Sequence, residues 1–214
     1  MIQRSARART EKSISKRGSR ERILEIALQE FSEQGFSGAR VDRIAKRANT
    51  SKHMIYYHFS SKTGLYESVL KEAYGGVRAA DATIDVEHMG PVDALRSIVL
   101  QSFNYHCDHE VFVRLVMNEN IQYAAHITDE QVNANKAIIE ELSSVLLRGQ
   151  ADGVFRSDID ARQVHLTISA LGFHYVSNKY TFSRIFEFDM HSTAAREQRR
   201  DLIVDIVLRW CAAS

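Results

Sequence analysis

Apolar residues recur along this chain mainly at the helical period of about 3.6 residues, and hardly any segment alternates apolar and polar positions. The first clear example is residues 19–34, where Ile23, Leu24, Ala27 and Phe31 form one apolar stripe. The chain contains only one proline and ten glycines. The pattern predicts an all-α protein with about nine helices.

Turn and cap signals divide the first third into short helices. Gly35 ends the first helix, and short helices are predicted at 41–47 and 52–59, with the turn Ala48-Asn49-Thr50 between them. Thr50 or Ser51 can cap the second of these helices, and a longer helix follows at 62–80. Two short helices joined by a tight turn beneath a first helix predict a helix-turn-helix.

The remaining two thirds read as further amphipathic helices with recognisable starts. Gly90-Pro91 precedes one helix, Thr128 with Gln131 forms a capping box, and Asp160 with Gln163 forms a second box. The stretch 181–193 reads as irregular chain. The predicted helices are 92–107, 110–122, 128–151, 160–179 and 194–212.

Charge is unevenly distributed over the 214 residues. Residues 1–62 carry 14 Lys or Arg and 6 Asp or Glu, a net charge of +8, whereas residues 63–214 carry a net charge of −7. A basic first third suggests that this part meets a polyanion, although a solvated charged terminus is the alternative. The N-terminus has no apolar signal region and no apolar run approaches about 20 residues, so a cytoplasmic location is expected.

The second short helix presents an unusual polar and aromatic surface. Met54, Ile55 and Phe59 suit packing against the first two helices. The residues left mostly outward can donate to phosphates and base edges, and they are Ser51, Lys52, His53, Tyr56, Tyr57 and His58. Lys62 begins the next helix, where its charge and the backbone N–H groups both favour phosphate.

The stretch ILEIALQEFSEQGFSGARVDRIAKRANTSKHMIYYHFSSKTGLYESVL resembles the DNA-binding domain of the tetracycline-repressor (TetR) family. The resemblance implies a homodimer that places two recognition helices in successive major grooves of a palindromic operator. The positions that match family DNA contacts are Arg40, Ser51, Lys52, His53, Tyr56, Tyr57, His58 and Lys62. The chain departs from the family at Ala39-Arg40, where hydroxyl residues are common, so that Arg40 is expected to replace a hydroxyl–phosphate contact with a charged one. It also departs at Asn49-Thr50, where Gly-Val is common.

The predicted domains follow from this resemblance. Residues 1–18 form a basic flexible arm, 19–66 the helix-turn-helix DNA-binding domain, and 67–214 a helical effector-binding and dimerisation domain. The arm either follows phosphates and the minor groove or is a disordered solubilising tail.

The last two predicted helices carry apolar residues on more than one side, which suits a four-helix dimer interface. The interface residues predicted there are Leu171, Tyr175, Val204, Leu208 and Cys211. Apolar residues mixed with polar ones in the middle helices suggest a small-molecule pocket, for which the resemblance implies an effector. The predicted pocket residues are Phe103, His106, Phe112, Leu115, Asn120, Tyr123, His165 and His174.

These observations predict a ligand-responsive, sequence-specific transcriptional regulator that leaves a palindromic DNA operator when a small-molecule effector binds. A non-specific or architectural DNA-binding protein is one alternative, and an enzyme that uses the His/Asn-rich pocket is another. No phosphate-binding loop, nucleophile elbow or HExxH pattern is present, so an enzyme is not expected. No cofactor or metal is expected either, although His106 and His109 flank Cys107 closely enough to raise a zinc site.

Overall fold

The computed structural model describes residues 18–213, and within that range the protein is all-helical, as predicted. Ten helices are present there, and an isolated bridge between Phe155 and Ala212 is the only extended pairing. The helices are α1 (Ser19–Gly38), α2 (Val41–Arg47), α3 (Lys52–Phe59), α4 (Lys62–Asp81), α5 (Pro91–Asp108), α6 (Glu110–Ile121), α7 (Asp129–Ala151), α8 (Ala161–Ser177), α9 (Lys179–Phe186) and α10 (Thr193–Cys211).

Local capping explains most of these boundaries. The Ser51 hydroxyl accepts a hydrogen bond from the Met54 N–H, and Thr128 with Gln131 forms the predicted capping box. The Asp160 side chain accepts hydrogen bonds from backbone N–H groups in the first turn of α8. Pro91 lies in the first turn of α5, where a proline fits the helix. Asn49 adopts a left-handed φ of 50° in the turn between α2 and α3.

The structure corrects the prediction in one region. The stretch 181–193 was expected to be irregular, but α9 covers its first part. α9 has no buried residue, and its apolar side chains lie largely exposed on the chain. Apolar residues recur there at the helical period, but no capping residue marks the start of α9, since the Asn178 side chain forms no cap hydrogen bond.

The chain forms two compact units. The N-terminal unit comprises residues 18–73 and 114–127 of the described range, and the C-terminal unit comprises 74–113 and 128–213. Helices α4 and α6 each contribute residues to both units. The predicted domain ranges 19–66 and 67–214 stay predictions, and nearly all of the predicted basic arm lies outside the described residues.

Helices α1, α2 and α3 pack on one another in the N-terminal unit. The core of this unit is mainly apolar, with Ile23, Phe31, Ile44 and Ile55 of these helices and Leu65 and Leu70 of α4 buried. The C-terminal end of α6 belongs to the same unit. There the Glu119 carboxylate accepts from the backbone N–H of His126 at 2.7 Å and contacts its imidazole at 3.1 Å.

The kink near the end of α1 has a clear cause. Gly35 has φ 66° and ψ 174°, a conformation that favours glycine, and it interrupts the helical backbone there. The Asn118 side-chain amide of α6 donates to the carbonyls of Phe31 and Ser32, at 3.4 and 3.1 Å. These bonds hold α6 against the last turn of α1 before the kink.

Helix α5 is the centre of the C-terminal unit, since α7, α8 and α10 all pack against it. Val99 and Phe103 of α5, Leu142 of α7, Ile168 of α8 and Ile203 of α10 are buried. Within the described residues no helix is long and apolar enough to cross a membrane.

Candidate nucleic-acid interface and effector region

Helix α3 displays the surface that the sequence predicts. Ile55 and Phe59 are buried against the N-terminal core, whereas Ser51, Lys52 and His53 are exposed. Tyr56 is 44% exposed and Tyr57 is 73% exposed. An exposed tyrosine offers both a hydroxyl donor and an apolar ring, so this helix can meet phosphates and base edges together.

Two other predicted contacts are partly enclosed. The His58 ring lies edge-on to Tyr57 and Phe59, and its Nε2 is buried with no hydrogen-bond partner among the described residues. The Lys62 ammonium donates to the Ser37 carbonyl at 3.4 Å and lies 5.0 Å from the centre of the Phe36 ring. Burial lowers the pKa of Lys62, and attraction to the Glu30 carboxylate opposes that shift.

Arg40 is already paired. Its Nε and Nη2 atoms donate to the two carboxylate oxygens of Asp42 at 3.1 and 2.9 Å. The hydrogen bond to Asp42 raises the pKa of Arg40, and the same contact lowers the pKa of Asp42. A phosphate contact from Arg40, as predicted, therefore requires sharing or replacing the Asp42 carboxylate.

Three further charged residues near this surface were not singled out from the sequence. Glu30 is fully buried, and it forms ion pairs with Arg43 and Arg47 of α2. The available signal was that Glu30 falls on the apolar stripe of α1, three residues after Ala27 and seven after Ile23. A carboxylate at a core position needs partners, and the closest basic side chains are those of the next helix.

Half of the predicted pocket residues meet inside the C-terminal unit. His106 stacks on Phe112 with ring centres 6.2 Å apart, and Phe103 lies against Gly172 together with the His106 Nδ1 atom. His165 is close enough to affect His106 electrostatically. Burial, and to a smaller extent electrostatic repulsion from His165, lowers the pKa of His106 to about 4. Its imidazole is therefore neutral near pH 7.

The other four predicted pocket residues do not join them. Leu115 is buried in the N-terminal unit, and Asn120 lies on the exposed side of α6. Tyr123 is 95% exposed in the turn after α6. His174 is exposed near the end of α8, where its Nδ1 contacts the Asn178 amide at 3.1 Å.

A polar group near His165 was not predicted from the sequence. Arg78 forms an ion pair with Asp81 at 3.2 Å, and both side chains are largely buried. The Arg78 Nε and Nη1 atoms have no hydrogen-bond partner among the described residues. Burial lowers the pKa of His165, with Arg78 lowering it further, and burial raises the pKa of Glu141, with Asp81 adding to it. These residues come from α4, α7 and α8, so no local spacing could reveal them.

A cavity of about 660 Å³ lies between residues 82–87 and α7. Glu141, Ser144 and Val145 line one side. Arg148 of α7 also lines it and donates to the carbonyls of Val86, Glu87 and Met89. None of the predicted pocket residues lines this cavity.

The predicted interface residues of α8 and α10 divide into two groups. Tyr175, Val204 and Cys211 are buried within the single chain, and the Tyr175 hydroxyl donates to the Met190 carbonyl at 2.8 Å. Leu171 and Leu208 keep partial exposure. Tyr175, Val204 and Cys211 therefore lie in the core of their own chain, where α8 and α10 pack against α5 and against each other.

The apolar residues that remain exposed lie on a different set of positions. Leu166 of α8 is 61% exposed. Leu202 and Ile206 of α10 are also exposed, one turn apart on the same helix. Helix α9 and the residues after it add Tyr180, Phe182, Ile185, Phe186 and Phe188.

The zinc alternative finds no supporting geometry in the part of the chain that the structure describes. No group of three or more His, Cys, Asp or Glu side chains is arranged there to hold a metal ion. His109 instead stacks on Tyr105, with ring centres 4.0 Å apart, and its Nδ1 contacts the Tyr105 carbonyl.

Comparison with known families gives two matches that together span most of the chain. Residues 23–69 match the family described as bacterial regulatory proteins, tetR family. Residues 91–207, more than half of the chain, match the tetracyclin repressor-like C-terminal domain. The first match contains α2 and α3, and the second contains Phe103, His106, Phe112 and His165.

Individual relatives agree with these matches. The HTH-type transcriptional repressor NicS of Pseudomonas putida is 32% identical over 200 residues, covering 89% of this chain and 91% of that repressor. A transcriptional regulator of Streptomyces coelicolor, SCO4942, has a similar structure, with a TM-score of 0.71, 25% identity and coverage of 91% of this chain and 98% of that one. AibR, solved with isovaleryl coenzyme A and operator DNA, shares the fold with a TM-score of 0.69, 16% identity and coverage of 88% and 97%.

Proposed function

This chain belongs to the TetR family of bacterial transcriptional regulators, and on that premise we propose that it is a cytoplasmic repressor of a palindromic operator. It binds the operator as a homodimer and leaves it when a small effector binds to the C-terminal unit. The single observation that carries this proposal is α3, a capped helix whose polar and aromatic face is exposed while its apolar face is buried.

The exposed face of α3 favours sequence-specific binding over architectural binding. Ser51, Lys52 and His53 stand at the start of the helix, which is the end that contacts base edges in helix-turn-helix proteins. Tyr57 projects beside them. A non-specific binder needs cations and little else, whereas this face combines hydroxyl, amine and imidazole groups. The named relatives are regulators rather than enzymes, which removes support from the enzyme alternative.

The proposed effector site centres on His106, His165 and Arg78. The neutral His106 imidazole and the buried Arg78 guanidinium present polar atoms with no hydrogen-bond partner among the described residues. Such atoms are costly to bury, so a bound polar ligand or water that satisfies them is favoured. Phe103 and Phe112 supply the apolar surface that small-molecule sites also need. AibR, which shares the fold, was solved with isovaleryl coenzyme A and operator DNA.

The proposed dimer interface consists of the exposed apolar side chains of α8, α9 and α10. Leu166, Leu202 and Ile206 are exposed, and so are the aromatic side chains of α9. Their combined exposed apolar area is larger than that of single apolar residues scattered over a surface. A two-fold axis requires each such patch to meet its own copy. Leu171 and Leu208 of the predicted interface are partly exposed and can join it.

The test is selection of genomic fragments with the purified protein, followed by footprinting at one fixed salt concentration. A protected palindrome, lost with Tyr57→Ala, is expected, because Tyr57 is exposed and its removal leaves the core intact. Binding that is equal on random DNA and falls steeply with salt would instead support the architectural alternative. The genes beside the palindrome would then supply the effectors to test for release.

A further inference from the structure

We propose that Arg43 and Arg47 of α2 form a second phosphate-binding site for the operator, and that the buried Glu30 positions them. This inference rests on the proposed DNA-binding function and adds a site outside α3. Glu30 never touches DNA in this proposal, so it is a positioning residue, and the two arginines make the contacts.

The geometry around Glu30 is a branched ion pair. One carboxylate oxygen lies 3.3 Å from Arg43 Nη1 and also accepts from the backbone N–H of Arg40 at 3.3 Å. The other oxygen accepts from Arg47 Nη1 at 3.4 Å. The side chain of Glu30 is 1% exposed, and those of Arg43 and Arg47 are 48% and 38% exposed. The carboxylate is therefore enclosed, and the arginines reach it from the surface.

This arrangement leaves binding capacity on the outer side of α2. A guanidinium has five N–H donors, and each arginine uses one nitrogen on Glu30. Arg43 and Arg47 are four residues apart, so they lie on one face of the helix about 6 Å apart along its axis. Two positive charges against one negative charge give the group a net positive charge.

The position of α2 suits a backbone contact. In helix-turn-helix proteins the first helix of the motif crosses the DNA backbone while the second enters the groove. Arg40, the predicted phosphate contact at this end, is paired with Asp42. Arg43 and Arg47 pair with no exposed carboxylate among residues 18–213, since the carboxylate that they share, Glu30, is buried in the core.

Holding an arginine in place before binding lowers the entropy lost when it meets a phosphate. Glu30 does this for two arginines at once, and it fixes the first turn of α2 through the Arg40 N–H. A simple count of charges predicts the opposite role, because a negative charge near DNA should weaken binding. The two explanations therefore predict opposite signs for the same substitution.

The experiment measures affinity of the full chain for the selected palindrome across a salt series. Glu30→Gln is expected to lower affinity about tenfold, although it removes a negative charge. Glu33→Gln is the matched control, since it removes the same charge from an exposed position on the same helix, and it should leave affinity equal or slightly higher. Each of Arg43→Gln and Arg47→Gln removes one phosphate contact from both protomers of the proposed dimer, so each should reduce the slope of log K against log salt by about 1.8.

A double-mutant cycle separates positioning from a general loss of structure. Adding Glu30→Gln to the Arg43→Gln/Arg47→Gln protein should cost no further affinity, whereas adding it to Lys46→Gln should still cost about tenfold. Lys46 is exposed on the same helix and forms no ion pair with Glu30 among the described contacts. Helicity and the melting temperature are recorded for every variant.

Three outcomes overturn the proposal: equal or higher affinity in Glu30→Gln, unchanged salt slopes in both arginine variants, or equal losses in both arms of the cycle. If Glu30→Gln does not fold, the arginine slopes decide alone. Absence of any protected palindrome with the wild-type chain is a different result. It would refute the proposed operator binding, and the slopes on random duplex would still show whether Arg43 and Arg47 meet phosphates.

Discussion

Acid should destabilise this protein through His106, and the structure gives both the sign and the size of the effect. His106 lies in the core of the C-terminal unit with its ring against Phe112 and Phe173, and its Nδ1 has no hydrogen-bond partner among the described residues. Burial, followed by repulsion from His165, lowers its pKa from 6.5 to about 4. Protonation in the folded state would therefore place an unpaired charge in the core.

The sign follows from which state binds more protons. Between pH 4 and 6.5 the unfolded chain protonates this imidazole while the folded chain does not, so folding stability rises with pH across that window. The stabilisation is complete above 6.5 and is lost as pH falls toward 4. A shift of this size corresponds to about 3 kcal/mol in full, of which about 2 kcal/mol is lost between pH 7 and 5.

The assay is urea unfolding at several values of pH from 7 to 5, followed by the fluorescence of Trp210, the single tryptophan. His106→Phe removes the titrating group and keeps a planar ring for the aromatic neighbours. Asp81 also titrates, and burial raises its pKa, so its contribution has the opposite sign. Subtracting the variant curve from the wild-type curve cancels this and all other shared contributions.

We expect the wild-type protein to lose about 2 kcal/mol more than His106→Phe between pH 7 and 5. His53→Gln, a change at an exposed histidine of α3, serves as the matched control and should leave the difference in place. Parallel curves for the wild type and His106→Phe would refute the reasoning, because they would mean that the folded protein accommodates the charged imidazole as easily as water does.

Three other predictions concern particular contacts. Asn118→Ala should destabilise the protein by about 1–3 kcal/mol in urea unfolding, because two carbonyls of α1 lose their donor; an unchanged midpoint would show that water replaces the amide. Gly149→Ala should cost about 1–3 kcal/mol despite its gain in helix propensity, since the new Cβ would lie 2.0 Å from the Phe155 ring, whereas Gly75→Ala meets open space and should stabilise α4. Leu166→Glu should convert a dimer to a monomer in light scattering, and an unchanged mass would exclude this part of α8 from the interface.

The helices were predictable where the signals were local. The Thr128 capping box, the Ser51 cap and the left-handed Asn49 each involve residues within four positions of one another, so the sequence contains all the information that the backbone uses. Helix α9 was missed because it has no side-chain cap and no buried face. Because none of its residues is buried, no apolar stripe facing the core of the chain marks this helix in the sequence.

A site could be predicted from the sequence only where its residues lie close together along the chain. The exposed face of α3 lies within eight consecutive residues, and its helical period separates the buried Ile55 from the exposed Tyr57. Arg78, His106, Glu141 and His165 stand on four different helices, so their meeting depends on how those helices pack.

Glu30 lies between these two cases. A single carboxylate on the apolar stripe of α1 signals a buried charge, and a buried charge requires a cation within a few ångströms. The sequence supplies cations at several positions of the next helix, and only the packing angle of α1 on α2 selects Arg43 and Arg47. The same packing angle determines which arginine side chains of α2 are exposed at the surface beside Glu30. A charged residue on the apolar stripe of a helix that packs beside a DNA-binding helix is therefore an informative sequence signal. In the proposed arrangement its partners are surface cations, which it holds in place before DNA binds.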